Sequence, residues 1–80
     1  MKDVKIRLSS IQDVRTFVDT VTKHNIDVDL SSGRYVVDAK SIMGIFSLDL
    51  LSPITLSAQT DNEAETAALL ADLKDFIVEE

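Results

Sequence analysis

Four stretches of this chain carry their inward residues at every second position. In residues 3–8, Val4, Ile6 and Leu8 point one way and Lys5 and Arg7 the other. Ile26, Val28 and Leu30 alternate with Asp27, Asp29 and Ser31. Tyr35, Val37 and Ala39 alternate with Val36 and Asp38, and Ile54, Leu56 and Ala58 with Thr55, Ser57 and Gln59. Successive side chains of a strand lie on opposite faces, so each stretch predicts a strand with one buried and one solvated side. Such strands suit an antiparallel sheet that is wet on one face and covered by helices on the other.

The helices come from the segments between. Ile11, Val14, Phe17, Val18 and Val21 recur at helical spacing and predict a helix over residues 11–24. Ser9 with Gln12 fits a capping box at its start, and Asp13 and Lys23 match the helix dipole. Ser31-Ser32-Gly33-Arg34 reads as a tight turn, with Gly33 at positive φ, joining the second and third strands as a hairpin. A short helix is expected from Ser41 to Ser47 or Leu48, ended by Ser52-Pro53. Thr60 with Glu63 fits a second capping box. Leu69, Leu70, Leu73, Phe76 and Ile77 then share one helical face, with Ala64, Ala67, Ala68 and Ala71 easing close packing. This last helix is expected from residue 62 to about 78, with Glu79-Glu80 opposing its dipole and fraying. The order is β-α-β-β-α-β-α. Pattern alone leaves strand order open, and a ferredoxin-like or ACT-like layout with one added helix also fits.

Bulk properties narrow the function. Eighty residues suffice for one domain, 1–80, with a small core. The net charge of −6, without a basic run, disfavours nucleic acid and anionic membrane surfaces as partners. No apolar run is long enough to cross a membrane, and the N-terminus does not read as a signal peptide. There is no cysteine, so thiolate metal sites and disulfides are excluded. A cytoplasmic protein is expected.

No enzyme constellation is visible, and no cofactor or metal site is expected. His24 is the single histidine and reads as a surface or C-capping residue. Asp27 and Asp29 read as the solvated face of a strand. Gly33 and Gly44 are the two glycines, too few for a phosphate-cradling loop.

The densest apolar run is Ile42, Met43, Ile45, Phe46, Leu48, Leu50 and Leu51. These residues turn around more than one face of a helix, so part of the run is expected at the surface as a contact patch. Ser41 stands before it as an N-cap worth about 1 kcal/mol. Phosphorylated, it would add roughly −1.5 to −2 charge where backbone amides favour an anion.

Lys40-Ser41-Ile42-Met43-Gly44, continuing into Ile45-Phe46-Ser47-Leu48, resembles the regulatory-serine region of the HPr family, small phosphocarriers of the bacterial sugar phosphotransferase system. Ile54-Thr55-Leu56-Ser57-Ala58, the acidic turn and the Ala/Leu-rich helix are similar to the end of that family. Thr20-Val21-Thr22-Lys23 and the strand from Asp27 to Leu30 also fit. The resemblance covers essentially the whole chain. It implies an α+β open-faced β-sandwich, with three helices on one face of a four-stranded antiparallel sheet ordered 1-4-2-3.

The departure from the family is equally specific. HPr carries its phosphate on the histidine of a G-I-H-A-R-P motif at the start of the first helix. Aligned without gaps from Ser41, this chain has Leu8-Ser9-Ser10-Ile11-Gln12-Asp13 there. Ser10 takes the histidine's place, Gln12 the arginine's and Asp13 the proline's. A phosphoserine is a stable ester and cannot relay its phosphoryl group as a phosphoimidazole does. Losing the arginine removes a charge-assisted phosphate contact. The family also contains a histidine-lacking paralogue that acts in carbon catabolite repression. It is phosphorylated on the regulatory serine and then binds a transcription regulator. The resemblance therefore implies a non-catalytic regulatory or interaction protein. Ser41 would be its phosphorylation site, and Ile42, Met43, Ile45, Phe46 and Leu48 its docking patch, with Met43 or Leu48 alternatively in the core. Its partners would be an HPr-type serine kinase or a transcription regulator. The alternatives are a phosphocarrier with an altered acceptor, Ser10 or His24, and a diverged binding module with neither activity.

Overall fold

Leu56 lies at the centre of an apolar row that crosses every strand of the sheet. In register, Val4 faces Leu56, Leu56 faces Leu30, and Leu30 faces Val37. The strands are β1 (Lys2–Ile6), β2 (Val28–Ser32), β3 (Tyr35–Asp38) and β4 (Ile54–Ala58). They form one antiparallel sheet ordered β1-β4-β2-β3. The structure, a computed structural model, describes residues 2–78. Leu8 and Ile26, expected inside strands, lie just outside them and are still buried. Tyr35, expected to face inward with Val37, is exposed at the rim.

The opposite face is polar, as period two requires. Lys5, Thr55, Ser31 and Val36 form one row across it; Asp3, Ser57, Asp29 and Asp38 form the next. Lys5 Nζ donates to Thr55 Oγ1 at 2.7 Å, and Ser57 Oγ donates to Asp3 Oδ1 at 2.7 Å.

The hairpin joining β2 and β3 turns on two residues, Gly33 and Arg34, with Ser32 opposite Tyr35. Gly33 has φ +59° and Arg34 does not have a positive φ. That is the type II′ pattern, in which the first central residue is glycine.

The helices α1 (Ile11–Thr22), α2 (Ile42–Phe46) and α3 (Glu63–Asp72) cover the apolar face. Val14, Phe17 and Val21 of α1 are buried with Ile45 and Leu48, with Leu69 and Leu73, and with the sheet residues Leu30, Ile54 and Leu56. Together with the sheet order, this is the α+β open-faced sandwich expected from the resemblance.

The helix ends depart from expectation. Ser10, not Ser9, caps α1: its Oγ accepts from Asp13 N at 3.0 Å, and Ser9 N donates back to Asp13 Oδ2 at 3.0 Å. Gln12 instead donates to Thr16 Oγ1. The helix stops at Thr22, short of His24. Asn62, not Thr60, caps α3, because its amide oxygen reaches both Ala64 N (2.9 Å) and Glu65 N (3.1 Å). Thr60 Oγ1 instead donates to Glu65 Oε1. Ala64, Ala67, Ala68 and Ala71 face solvent rather than a packing surface.

The third helix is also shorter than its spacing predicts. It ends at Asp72, and a 3₁₀ turn (Lys74–Phe76) follows. Ile77 then pairs with Ile6 on the free side of β1. Arg7 N donates to Phe76 O at 2.8 Å, and Val78 N to Lys5 O at 2.9 Å. Phe76 meets Phe17 edge-on, with centroids 6.0 Å apart and planes at 81°. Pairing Ile77 on a strand satisfies backbone groups that a longer helix would leave β1 without. The expected fraying of Glu79-Glu80 lies outside the described residues.

Candidate functional site

Three serine or asparagine caps start the three helices, and their surroundings differ in charge. The first turn of α1 contains Asp13, and that of α3 contains Glu63 and Glu65. The first turn of α2 contains no acidic residue.

Ser41 is exposed and in extended backbone, and its Oγ accepts from Gly44 N at 3.2 Å. Local chemistry produces this end. Asp38 Oδ1 accepts from Lys40 N at 2.8 Å, and Asp38 O accepts from Ser41 N at 3.0 Å, closing a turn between β3 and α2. Gly44 is needed for the fit. A Cβ at this position would stand 3.1 Å from Ser41 Oγ and 3.2 Å from Val37 Cβ. Ser47 Oγ donates to Gly44 O at 2.6 Å and ends the helix.

The expected docking patch divides. Met43 is 77% exposed and Phe46 41% exposed, while Ile42 is half-buried. Ile45 and Leu48 are core residues, fully or nearly fully buried, and are removed from the patch. A one-sided helix lying on a sheet buries positions three apart, and Ile45 and Leu48 belong to the same buried core as Val14 and Leu30.

The surface patch gains residues that helical spacing did not place there. Leu51 is 89% exposed and Ile11 is 65% exposed, although Ile11 was expected on the buried stripe of α1. They meet across a groove of about 430 Å³ whose wall includes Arg7, Leu8, Ser9, Ser10, Phe46 and Leu50. Arg7 Nη1 donates to Leu51 O at 3.4 Å across it. The only sequence signal for Leu50 and Leu51 was the density of the apolar run. Their meeting with Ile11 depends on a fold-level approach of α1 to the loop after α2.

Ser10 stands on this rim, and its Oγ is held by the backbone of the residue whose carboxylate caps Ser9. That helix end already has its anion in Asp13. His24 lies at the other end of α1, about 20 Å away at the helical rise per residue. Its Nε2 is 2.8 Å from Asp72 Oδ2, so it pairs with α3 rather than capping its own helix by its side chain. Ser10 and His24 thus stand at opposite ends of α1. Asp27 is exposed, and Asp29 accepts from Gln59 Nε2, as members of a solvated face. Among the described residues, no helix is long and apolar enough to cross a membrane.

Residues 12–78 match the family model described as "PTS HPr component phosphorylation site". The chain is similar to HPr-C-His from Thermoanaerobacter tengcongensis, with 34% identity and a TM-score of 0.73 over 94% of this chain and 92% of that one. It is similar to the phosphocarrier protein HPr of Bacillus anthracis str. Ames, with 30% identity and a TM-score of 0.65 over 89% and 92%. It also resembles the Bacillus subtilis catabolite repression containing protein Crh, solved as a swapped, intertwined dimer, with 27% identity and a TM-score of 0.64 over 92% and 88%. With the strand order, the helix layer and this match along most of its length, the chain belongs to the HPr family of the phosphotransferase system.

Proposed function

We propose that this chain is a non-catalytic, cytoplasmic regulatory or interaction protein, folded as a single domain. It has exchanged the family's phosphoacceptor histidine for Ser10 and is switched by phosphorylation at Ser41. The observation that carries this reading is the contrast between the two serine caps. Ser41 is exposed, with no acid in the first turn of its helix and with Met43 and Phe46 exposed beside it. Ser10 is bonded to the main chain of Asp13, whose carboxylate would repel a phosphate dianion.

A phosphate on Ser41 has the Gly44 amide as a donor within reach. It adds roughly −1.5 to −2 charge beside an apolar surface. A protein that reads the modified state would need a cation for the phosphate and an apolar socket for Met43 and Phe46. That is the chemistry expected of a regulator of carbon catabolite use, the role suggested by the likeness to Crh. The kinase would be of the HPr serine type.

The test is incubation with ATP and an HPr-type serine kinase, followed by mass spectrometry and peptide mapping. One phosphate on Ser41 is expected. An unmodified chain, at kinase levels that modify an ordinary HPr, would remove the switch.

A further inference from the structure

The two edges of the sheet are treated differently. The free side of β1 is paired by the C-terminal segment through Ile77. Among the described residues no strand pairs with the outer side of β3, and Ser41 N takes up only its last carbonyl, Asp38 O. Ala39 N donates to Val28 O, and the two-residue turn makes Ser32 and Tyr35 a hydrogen-bonded pair. Inward bonding at residues 35, 37 and 39 aims the amides of Val36 and Asp38 outward. A bare edge is a template for another strand, and chains blunt one with short length, charged side chains, proline or a bulge; here the blunting is limited to a four-residue length and Asp38 at its end. The strand Tyr35-Val36-Val37-Asp38 contains no lysine or proline, and Val36 is 64% exposed.

The geometry points to a second copy of this chain as the occupant, in an antiparallel β3–β3 pairing centred on Val36. The charges are self-complementary in that register alone. Antiparallel pairing of residues whose numbers sum to the same value sets Val36 opposite the partner copy's Val36, and Arg34 opposite its Asp38, twice by symmetry. Arg34 is exposed and makes no hydrogen bond or ion pair among the described residues. Val36 exchanges both its hydrogen bonds with its counterpart, and each Asp38 amide adds one to Arg34 O. The result is a continuous sheet through two copies with about four new backbone bonds. Its short length places it below the area of a standard stable interface, so the dimer is weak and concentration-dependent. The net charge of −6 on each copy opposes it at low salt.

Charge-swap complementation tests this with a readout that does not involve phosphorylation of Ser41, although Asp38→Arg also removes the Asp38 Oδ1 contact to Lys40 N. Amide NMR spectra and sedimentation are recorded for the wild type, Arg34→Asp and Asp38→Arg at physiological salt, from micromolar to millimolar protein. In the wild type, the Val36 and Asp38 amides are expected to shift with concentration and the sedimentation coefficient to rise. Each single variant, folded by circular dichroism, loses both effects. An equimolar mixture of the two regains them, because each then offers the charge the other needs. A wild type that is concentration-independent overturns the inference. So do shifts centred on Ile11, Phe46 and Leu51, a dimer that survives dilution as a swapped one would, and a mixture that stays monomeric.

Discussion

Gly44 lies so close under Ser41 that a methyl group on it would stand 3.1 Å from the serine Oγ. The same methyl would press on Val37 Cβ at 3.2 Å from the sheet side. The cap of α2 and its seat on β3 therefore share one glycine.

Gly44→Ala gains about 1 kcal/mol of helix propensity and meets an overpacking cost of about 1–3 kcal/mol. The strand backbone holds Val37, so the steric cost wins. A net loss of about 1 kcal/mol is expected in urea denaturation. An equally stable or more stable variant would show that α2 can lift from β3.

Ser41→Ala removes the acceptor for Gly44 N and is expected to cost about 1 kcal/mol. Ser41→Asp keeps an acceptor there and should retain most of that stability. Ser10→Ala is expected to cost a similar amount through α1 while leaving kinase modification unchanged. Comparing denaturation midpoints with phosphate incorporation for the three variants separates the structural cap from the regulatory role.

The pairing of His24 with Asp72 joins the end of α1 to the end of α3 across 48 residues of sequence. With His24 17% and Asp72 56% exposed, solvent weakens the bond. Asp72→Ala is expected to cost at most about 1 kcal/mol, and His24→Ala combined with it little more, since the two act as a pair. Additive losses in the double variant would show that each residue acts through something else.

Phe76→Ala removes the edge-on contact with Phe17 and loosens the segment that pairs with β1. The ring is half-buried, so about 2 kcal/mol is expected rather than the full cost of a core phenylalanine. Amide exchange should speed up first at Arg7 and Val78, whose amides cross that junction.

Much of this architecture is legible in the residues. Period two placed the strands because each has one wet face, and the row through Val4, Leu56, Leu30 and Val37 is that alternation realised in register. Strand order needed the family resemblance, since local pattern carries no information on which strands become neighbours. The caps slipped where polar residues crowd: Ser9 and Ser10, or Thr60 and Asn62, compete within two positions. Phe76 and Ile77 fit a helical face as well as an edge pairing, and only the distant β1 decides between them. At the site, Ser41 was legible as the cap of the apolar run, while Met43 was left open between surface and core. Ile45 was not separable from Phe46, because burial in a five-residue helix depends on where it lies on the sheet, whereas the core was already an alternative for Leu48. Leu51 stood in the apolar run, but its meeting with Ile11 was not legible, as their proximity is tertiary.

Two phosphoryl donors, applied side by side, test the central claim most directly. One sample receives ATP and an HPr-type serine kinase, the other phosphoenolpyruvate and the first enzyme of the phosphotransferase system, with an ordinary HPr as control in both. Intact-mass and peptide spectra should show one acid-stable phosphate on Ser41 in the first sample and none in the second. A labile, transferable phosphoryl group on Ser10 or His24, with Ser41 unmodified, would contradict it.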